Sequence, residues 1–161
     1  MGNKKDHTMN KHQKAKVWKL LKSTTYCSLS TCFNGAPHTT MVQPAITPNW
    51  KFIILAKNTR LKVRNLKHNN RVWLTFDATG LFKIPKVVYI KGRAELDSLN
   101  QRSFEEFVSY HRWIAKKIIK RLASGKLEQS TRIIVIPEKI ITVGLFANPE
   151  ETVTFNLASI S

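Results

Sequence analysis

From Lys51 to Asp77 the chain reads KFIILAKNTRLKVRNLKHNNRVWLTFD, an apolar strand, a short basic helix and a second apolar strand. Phe52, Ile53, Ile54 and Leu55 form the first β-prone run, and Val72, Trp73, Leu74, Thr75 and Phe76 form the second. Between them, in Asn58-Thr59-Arg60-Leu61-Lys62, Thr59 is the expected N-cap of the helix. The free N–H groups of the following turn would then point outward at the end of a strand, beside Arg60 and Lys62. Aligned backbone donors, a positive helix end and two mobile cations are the chemistry of a phosphate seat. A capped surface helix with solvated cations is the other reading, and this segment alone leaves both open.

The rest of the chain limits what could surround such a seat. At 161 residues it is one domain, 1–161, long enough to remove roughly 70% of its unfolded surface from water without a staple. No run approaches the ~18 apolar residues of a spanning helix, and the N-terminus carries no apolar signal core. The expectation is therefore a soluble cytoplasmic protein with no membrane partner. The formal net charge of +17 predicts attraction to polyanions: nucleic acid, acidic lipid or a phosphate-bearing small molecule. The cations are spread over the N-terminal arm to Lys22, over Lys57 to Arg71, and over Arg112 to Lys126, a distribution that reads as solubility before it reads as a dedicated groove. Cys27 and Cys32 differ in parity on one strand and so point to opposite faces, which disfavours a disulfide. The five histidines are scattered singly, without metal-ligand spacing.

Residues 1–8 are polar and expected to fray, and Val17, Trp18 and Leu21 mark a short amphipathic helix from Asn10 to Lys22. Tyr26 to Phe33 is a strand, Asn34-Gly35 is a type I′ hairpin turn, and the returning strand from His38 to Gln43 ends at Pro44. Asp77 to Gly80 is a turn, and Val87 to Glu95 is a long strand in which Gly92 marks a bulge or a close approach. Ser98 with Gln101 resembles a capping box. It would open a helix that runs towards Ser124 and stops at Gly125, making 98–125 a helical insertion with Phe104, Phe107, Val108, Ile114, Ile118 and Leu122 buried. Ile133 to Ile136 and Ile140 to Phe146 form a last pair of strands interrupted by Pro137-Glu138-Lys139, and the tail from Asn148 lies on the surface. Six or seven strands without βαβ alternation predict a mainly β fold: a closed or partly open antiparallel barrel with attached helices.

Four pieces in order give this pattern a precedent: the strand closing at Asn34-Gly35-Ala36-Pro37-His38, the segment Asn58 to Leu66, the run Asn69-Asn70-Arg71-Val72, and Ile90 to Glu95. Together they resemble the FMN-binding split-barrel proteins related to pyridoxamine 5′-phosphate oxidase. The resemblance implies a six-stranded antiparallel split β-barrel, a homodimer, and FMN at the subunit interface. It places the phosphate on Asn58, Thr59, Arg60 and Lys62, with Lys62 as the phosphate lysine. The isoalloxazine edge falls along Thr40, Met41, Val42 and Gln43, and the ribityl chain near Leu55 and Ala56. Three departures accompany it. Leu61 stands where oxidase members often carry arginine, Val87 or its neighbours replace a ring-contacting glutamine, and no Trp- and Arg-containing motif is recognisable between Asn148 and Ser161. The implied function is an FMN-dependent oxidoreductase acting on an unknown small molecule, but not a true pyridoxamine phosphate oxidase. The alternatives are a deazaflavin- or haem-binding split barrel, or a non-enzymatic basic barrel that carries a cofactor or binds nucleic acid. A nucleic-acid barrel would need stacking aromatics on an exposed face, and Trp50, Phe52, Trp73 and Tyr89 are the candidates, read first as core. No histidine is placed to be named an axial haem ligand.

Overall fold

The computed structural model describes residues 8–79, 85–111, 127–146 and 152–157. Helix α1 (Lys11–Ser23) starts at Asn10, whose side chain accepts from the Gln13 amide at 2.9 Å while Gln13 Oε1 accepts from the Asn10 amide at 3.0 Å. This reciprocal cap fixes the entry of a helix that buries Val17, Leu20 and Leu21 and sets Trp18 edge-on to Trp50, ring centroids 5.2 Å apart.

The hairpin is formed by β1 (Cys27–Phe33) and β2 (Ala36–Val42), in register from Phe33 opposite Ala36 to Cys27 opposite Val42. Asn34 and Gly35 have φ of 50° and 75°, the left-handed values that a type I′ turn demands and these two residues tolerate. The cysteines lie on opposite faces, both free, and burial pushes the Cys27 thiol up to about 12, which keeps it unreactive. After β3 (Ala45–Ile46) come β4 (Phe52–Lys57), α2 (Leu61–His68), β5 (Arg71–Asp77), β6 (Val87–Ser98), α3 (Gln101–Ser109), β7 (Ser130–Val143) and β8 (Thr152–Asn156). Every pairing is antiparallel. The order is β2-β1-β5-β6-β7-β4-β3, with β8 added to β7, so the described sheet is open, with β2 and β3 at its edges. The curled inner face holds the core, where Leu29, Phe52, Ile54, Leu74, Phe76, Ile90, Ile133 and Ile140 are nearly or wholly buried.

Three expectations need correction. Pro137 does not separate two strands: β7 runs through it as one strand. On one side β7 pairs with β4 over residues 130–135 and with β8 over 139–143, so proline, which has no N–H to offer, falls in the gap between those two partners. On the other side it faces Gly92, where β6 is bulged between Lys91 and Gly92. Second, the tail does not lie wholly on the surface. Thr152 to Asn156 extend the sheet to eight strands, and Phe155 is fully buried, because Val153, Thr154 and Phe155 have the β propensity to pair even though a proline and two acids precede them.

Third, Ser98 and Gln101 are not the cap. Ser98 still pairs with Thr131 in the β6–β7 ladder, and Asn100 with Ser103 forms the reciprocal cap of α3. The helix is described as far as Ser109, and the expected continuation to Ser124, with Ile114, Ile118, Leu122 and the cations from Arg112 onward, lies outside the described residues. Helix α3 covers the sheet's other face, where Phe107 packs with Ala45 and Ile53. Arg132 fastens it there, bonding Glu106 at 2.6 Å and Asp97 at 2.8 Å.

Candidate functional site

The strand–helix–strand segment turns sharply where β4 ends. The Arg60 amide donates to the Lys57 carbonyl at 3.0 Å. The Asn58 amide donates to Gln129 O at 2.9 Å, and its side-chain oxygen accepts from the Thr131 hydroxyl. Asn58 therefore ties the turn to the start of β7 and is committed to the scaffold.

The N-cap of α2 is Arg60, one residue later than the expected Thr59, and no side chain caps the helix. Arginine has no acceptor with which to cap, so the correction opens the helix end instead of closing it. The amides of Val63 and Arg64 bond to Arg60 O at 3.0 and 3.2 Å, while those of Leu61 and Lys62 precede the helical ladder and have no partner within it. No acidic residue occupies the first turn. The positive end of the helix is thus left uncompensated by its own side chains.

Lys62 is half-buried at this end. Burial, and then the nearby Arg60 charge, hold its ammonium below the ordinary lysine range. The ion pairs among the described residues are Arg93–Glu138 and Arg132 with Asp97 and Glu106, none of them at this turn. A partly desolvated cation beside a second cation and two amides that precede the helical ladder is an arrangement that an incoming phosphate would stabilise.

Helix α2 is fixed against the hairpin by side chains that the sequence did not single out. Asn65, buried, donates through Nδ2 to Thr31 Oγ1 at 3.1 Å; Asn69 Nδ2 donates to Cys32 O at 3.1 Å; and His68 stacks on Phe33 at 4.4 Å. Helix α2 and the β1–β2 hairpin are therefore tied together by side chains. Of the four residues expected along a ring edge, Val42 is buried, Thr40 and Gln43 are half-buried, and Met41 is 62% exposed on the opposite face. Strand β2 is an edge strand, so alternate backbone N–H and C=O groups along it face away from β1. His38, one pleat before Thr40, has an enclosed Nδ1 with no partner among the described residues. Its isolated position gave no signal in the sequence.

Ala56 is buried on the core side of β4, whereas Leu55 packs into the apolar cluster beneath α3, away from the core. Of the aromatics, Phe52 is core and Trp50 packs against it, but Trp73 is 39% exposed on the outer sheet face, beside Tyr89 at 6.5 Å between ring centroids. Trp73 is therefore not a core residue. Among the described residues, no group of three or more His, Cys, Asp or Glu side chains could hold a metal, and no helix is long and apolar enough to cross a membrane.

Residues 13–143 match the family model described as pyridoxamine 5′-phosphate oxidase. The chain belongs to the pyridoxamine 5′-phosphate oxidase family. No curated protein matches it. Among solved structures it is similar to a heme-binding protein from Mycobacterium smegmatis, at a TM-score of 0.69 and 15% identity over 88% of this chain and 56% of that one. It is also similar to a Clostridium acetobutylicum protein related to general stress protein 26, of the pyridoxinephosphate oxidase family, at a TM-score of 0.68 and 17% identity, covering 95% of this chain and 100% of that one. A third similarity is to a FAD-binding protein from Mesorhizobium loti, at a TM-score of 0.59 and 16% identity, covering 83% and 92%. At such identities these likenesses show the split-barrel fold of the pyridoxamine 5′-phosphate oxidase family. The matched span contains the hairpin, the α2 seat and all of β7, and it ends before β8.

Proposed function

We propose that this member of the pyridoxamine 5′-phosphate oxidase family binds FMN and works as a flavin-dependent oxidoreductase on a small molecule. The observation that carries the reading is the N-terminus of α2, with no side-chain cap, first-turn amides outside the helical ladder, no acid in the first turn, and the partly desolvated Lys62 ammonium beside Arg60. These residues fit a phosphate monoester. Lys62 and Arg60 would hold its charge, the α2 amides its oxygens, and the free edge of β2 from Thr40 to Gln43 the polar rim of the ring, next to Ala56. A bound flavin supplies the redox chemistry, and the chain supplies position and electrostatics. The same seat suits the phosphate of a deazaflavin coenzyme, and haem is the other occupant, suggested by the mycobacterial neighbour; their absorption bands tell the three apart.

Lys62 gives the reading a pH signature. Its folded pKa lies below the lysine value, so as pH rises from that lowered pKa towards the ordinary one the unfolded chain still holds a proton that the folded chain has lost. Stability of the empty protein therefore gains with pH across that window. A phosphate dianion reverses the shift, so FMN binding within that window should take up protons. Calorimetry in buffers of different ionisation enthalpy should show net uptake with FMN and none with riboflavin. Equal protonation for both ligands would place the phosphate elsewhere.

We also propose that the outer sheet face mediates a homodimer. Met41, Ser28, Thr75 and Tyr89 lie in one row across β2, β1, β5 and β6, with Trp73 in the next row, and Met41 and Trp73 present exposed apolar side chains there. Light scattering should give a dimer for the wild type and a monomer for Trp73→Glu/Met41→Glu; a monomeric wild type would refute the arrangement. Should the same face bind single-stranded nucleic acid through Trp73, Tyr89 and Lys91 instead, its affinity would fall steeply with salt, whereas an enclosed flavin would stay bound.

A further inference from the structure

A cleft lies between the C-terminal ends of α1 and α3 and the junction of β2 with β3, and it shares Gln43 with the strand edge assigned above to the flavin ring. It has a volume of about 110 Å3, and its lining includes Lys22, Thr25, Gln43, Pro44, Tyr110 and His111. That is well above the ~10–15 Å3 that one water needs, so a group the size of a carboxylate or phosphate fits.

Two proton-donating side chains are fixed here. Lys22 Nζ donates to the Ile46 carbonyl at 3.1 Å and stands over the Trp18 ring, 5.1 Å from its centroid. The His111 ring meets Phe107 edge-on at 4.6 Å, and its amide donates to Val108 O at 3.0 Å. His111 Nε2 is enclosed, with no partner among the described residues, so a molecule in the cleft meets the imidazole at Nδ1.

Among the described residues, no acidic side chain lines the cleft and none pairs with Lys22. Tyr110 is, among the described residues, the other titratable group in the lining, and the β2–β3 side contributes Gln43, Pro44 and Ile46. Burial, and then the Lys22 charge, hold His111 below the ordinary imidazole range, and burial lowers Lys22. At neutral pH the pair is therefore a neutral imidazole facing an ammonium that has no carboxylate opposite it.

We propose that this cleft is an oxyanion site, in which the Lys22 ammonium and the His111 Nδ1–H together hold a carboxylate or phosphate group of a small molecule. Lys22 supplies the charge and His111 the directed donor, while Thr25 and Tyr110 add hydroxyls to the lining. None of these four residues belongs to the α2 seat, so the proposal stands whether or not a flavin binds there.

The test is an NMR titration of the histidine ring resonances with inorganic phosphate, and separately with acetate, at constant ionic strength, with His111→Gln assigning the signal. A saturable shift confined to His111, with its pKa raised by about 0.5–1 unit, is the expected result for the group that the cleft accepts. Lys22→Met should abolish it, and Lys22→Arg, which keeps the charge, should retain it. A response to phosphate alone or acetate alone identifies the oxyanion. The proposal is overturned if all five histidines drift together with added salt, if His111 responds to neither anion, or if the response survives in Lys22→Met.

Discussion

Replacing Lys62 with alanine is expected to weaken FMN binding by about 10- to 150-fold, the range set by a charged hydrogen bond worth about 1.5–3 kcal/mol. Riboflavin binding should change by less than about threefold, because riboflavin keeps the ring and ribityl chain and lacks only the group that Lys62 holds. Arg60→Ala should cost FMN less, since Arg60 is exposed and its charge is screened by water, whereas Lys62 is half-buried. The double variant should lose more than either alone while retaining the wild-type fold, because neither side chain makes an ion pair among the described residues. Removing Lys62 also relieves a half-buried cation, so the empty protein should be no less stable than wild type below the ordinary lysine pKa. Fluorescence titration with both ligands decides the matter. Equal losses for FMN and riboflavin would show that Lys62 acts through the fold and not through a phosphate.

The second large effect concerns the scaffold. Gly92→Ala should destabilise the protein by about 2–4 kcal/mol, lowering Tm by roughly 5–15 °C, as expected of an overpacked site with nowhere to relax. A Cβ at Gly92 would press into the Ile136 carbonyl oxygen and lie 3.0 Å from Pro137 Cα, and both obstacles are backbone of the neighbouring strand. The close approach exists because β6 bulges there while β7 passes Pro137 from one partner strand to the other. Gly35→Ala is a useful contrast: a Cβ there meets nothing, but φ of 75° penalises any side chain, so the cost is only about 1 kcal/mol. Urea unfolding of the two variants should separate them by their midpoints at unchanged slope. A Gly92→Ala protein as stable as Gly35→Ala would mean that β7 yields at Pro137.

What the sequence revealed and what it concealed follow from the range of the interactions concerned. Asn34-Gly35, the Asn10 helix start and the parity of Cys27 and Cys32 are set within a few residues, and the structure has them as the local rules require. Gly92 was legible as a special position, but the reason for it, Pro137, is a partner across the sheet. The same proline was misread as a strand break because proline ends a ladder only where a partner needs its N–H, and here β4 and β8 leave that place vacant. Strand β8 was hidden by the acids and proline before it and revealed by burial of Phe155 against a sheet formed far earlier in the chain.

At the site, strand–helix–strand alternation was enough to place α2, but not its cap. Thr59 would be the cap only if every helix end took a side-chain cap, whereas this one is left open. Asn65, which joins α2 to Thr31, and Arg132, which joins α3 to β6 and β7, were invisible because nothing in their own neighbourhoods names their partners.

The most direct test of the central claim is the visible absorption spectrum of the purified protein, followed by titration of the colourless fraction with FMN. The flavin reading predicts a flavin absorption band, either as purified or on adding FMN, that stays with the protein through gel filtration. Protein that remains colourless and retains no FMN would contradict it, and haem or deazaflavin bands would assign the α2 seat to a different cofactor.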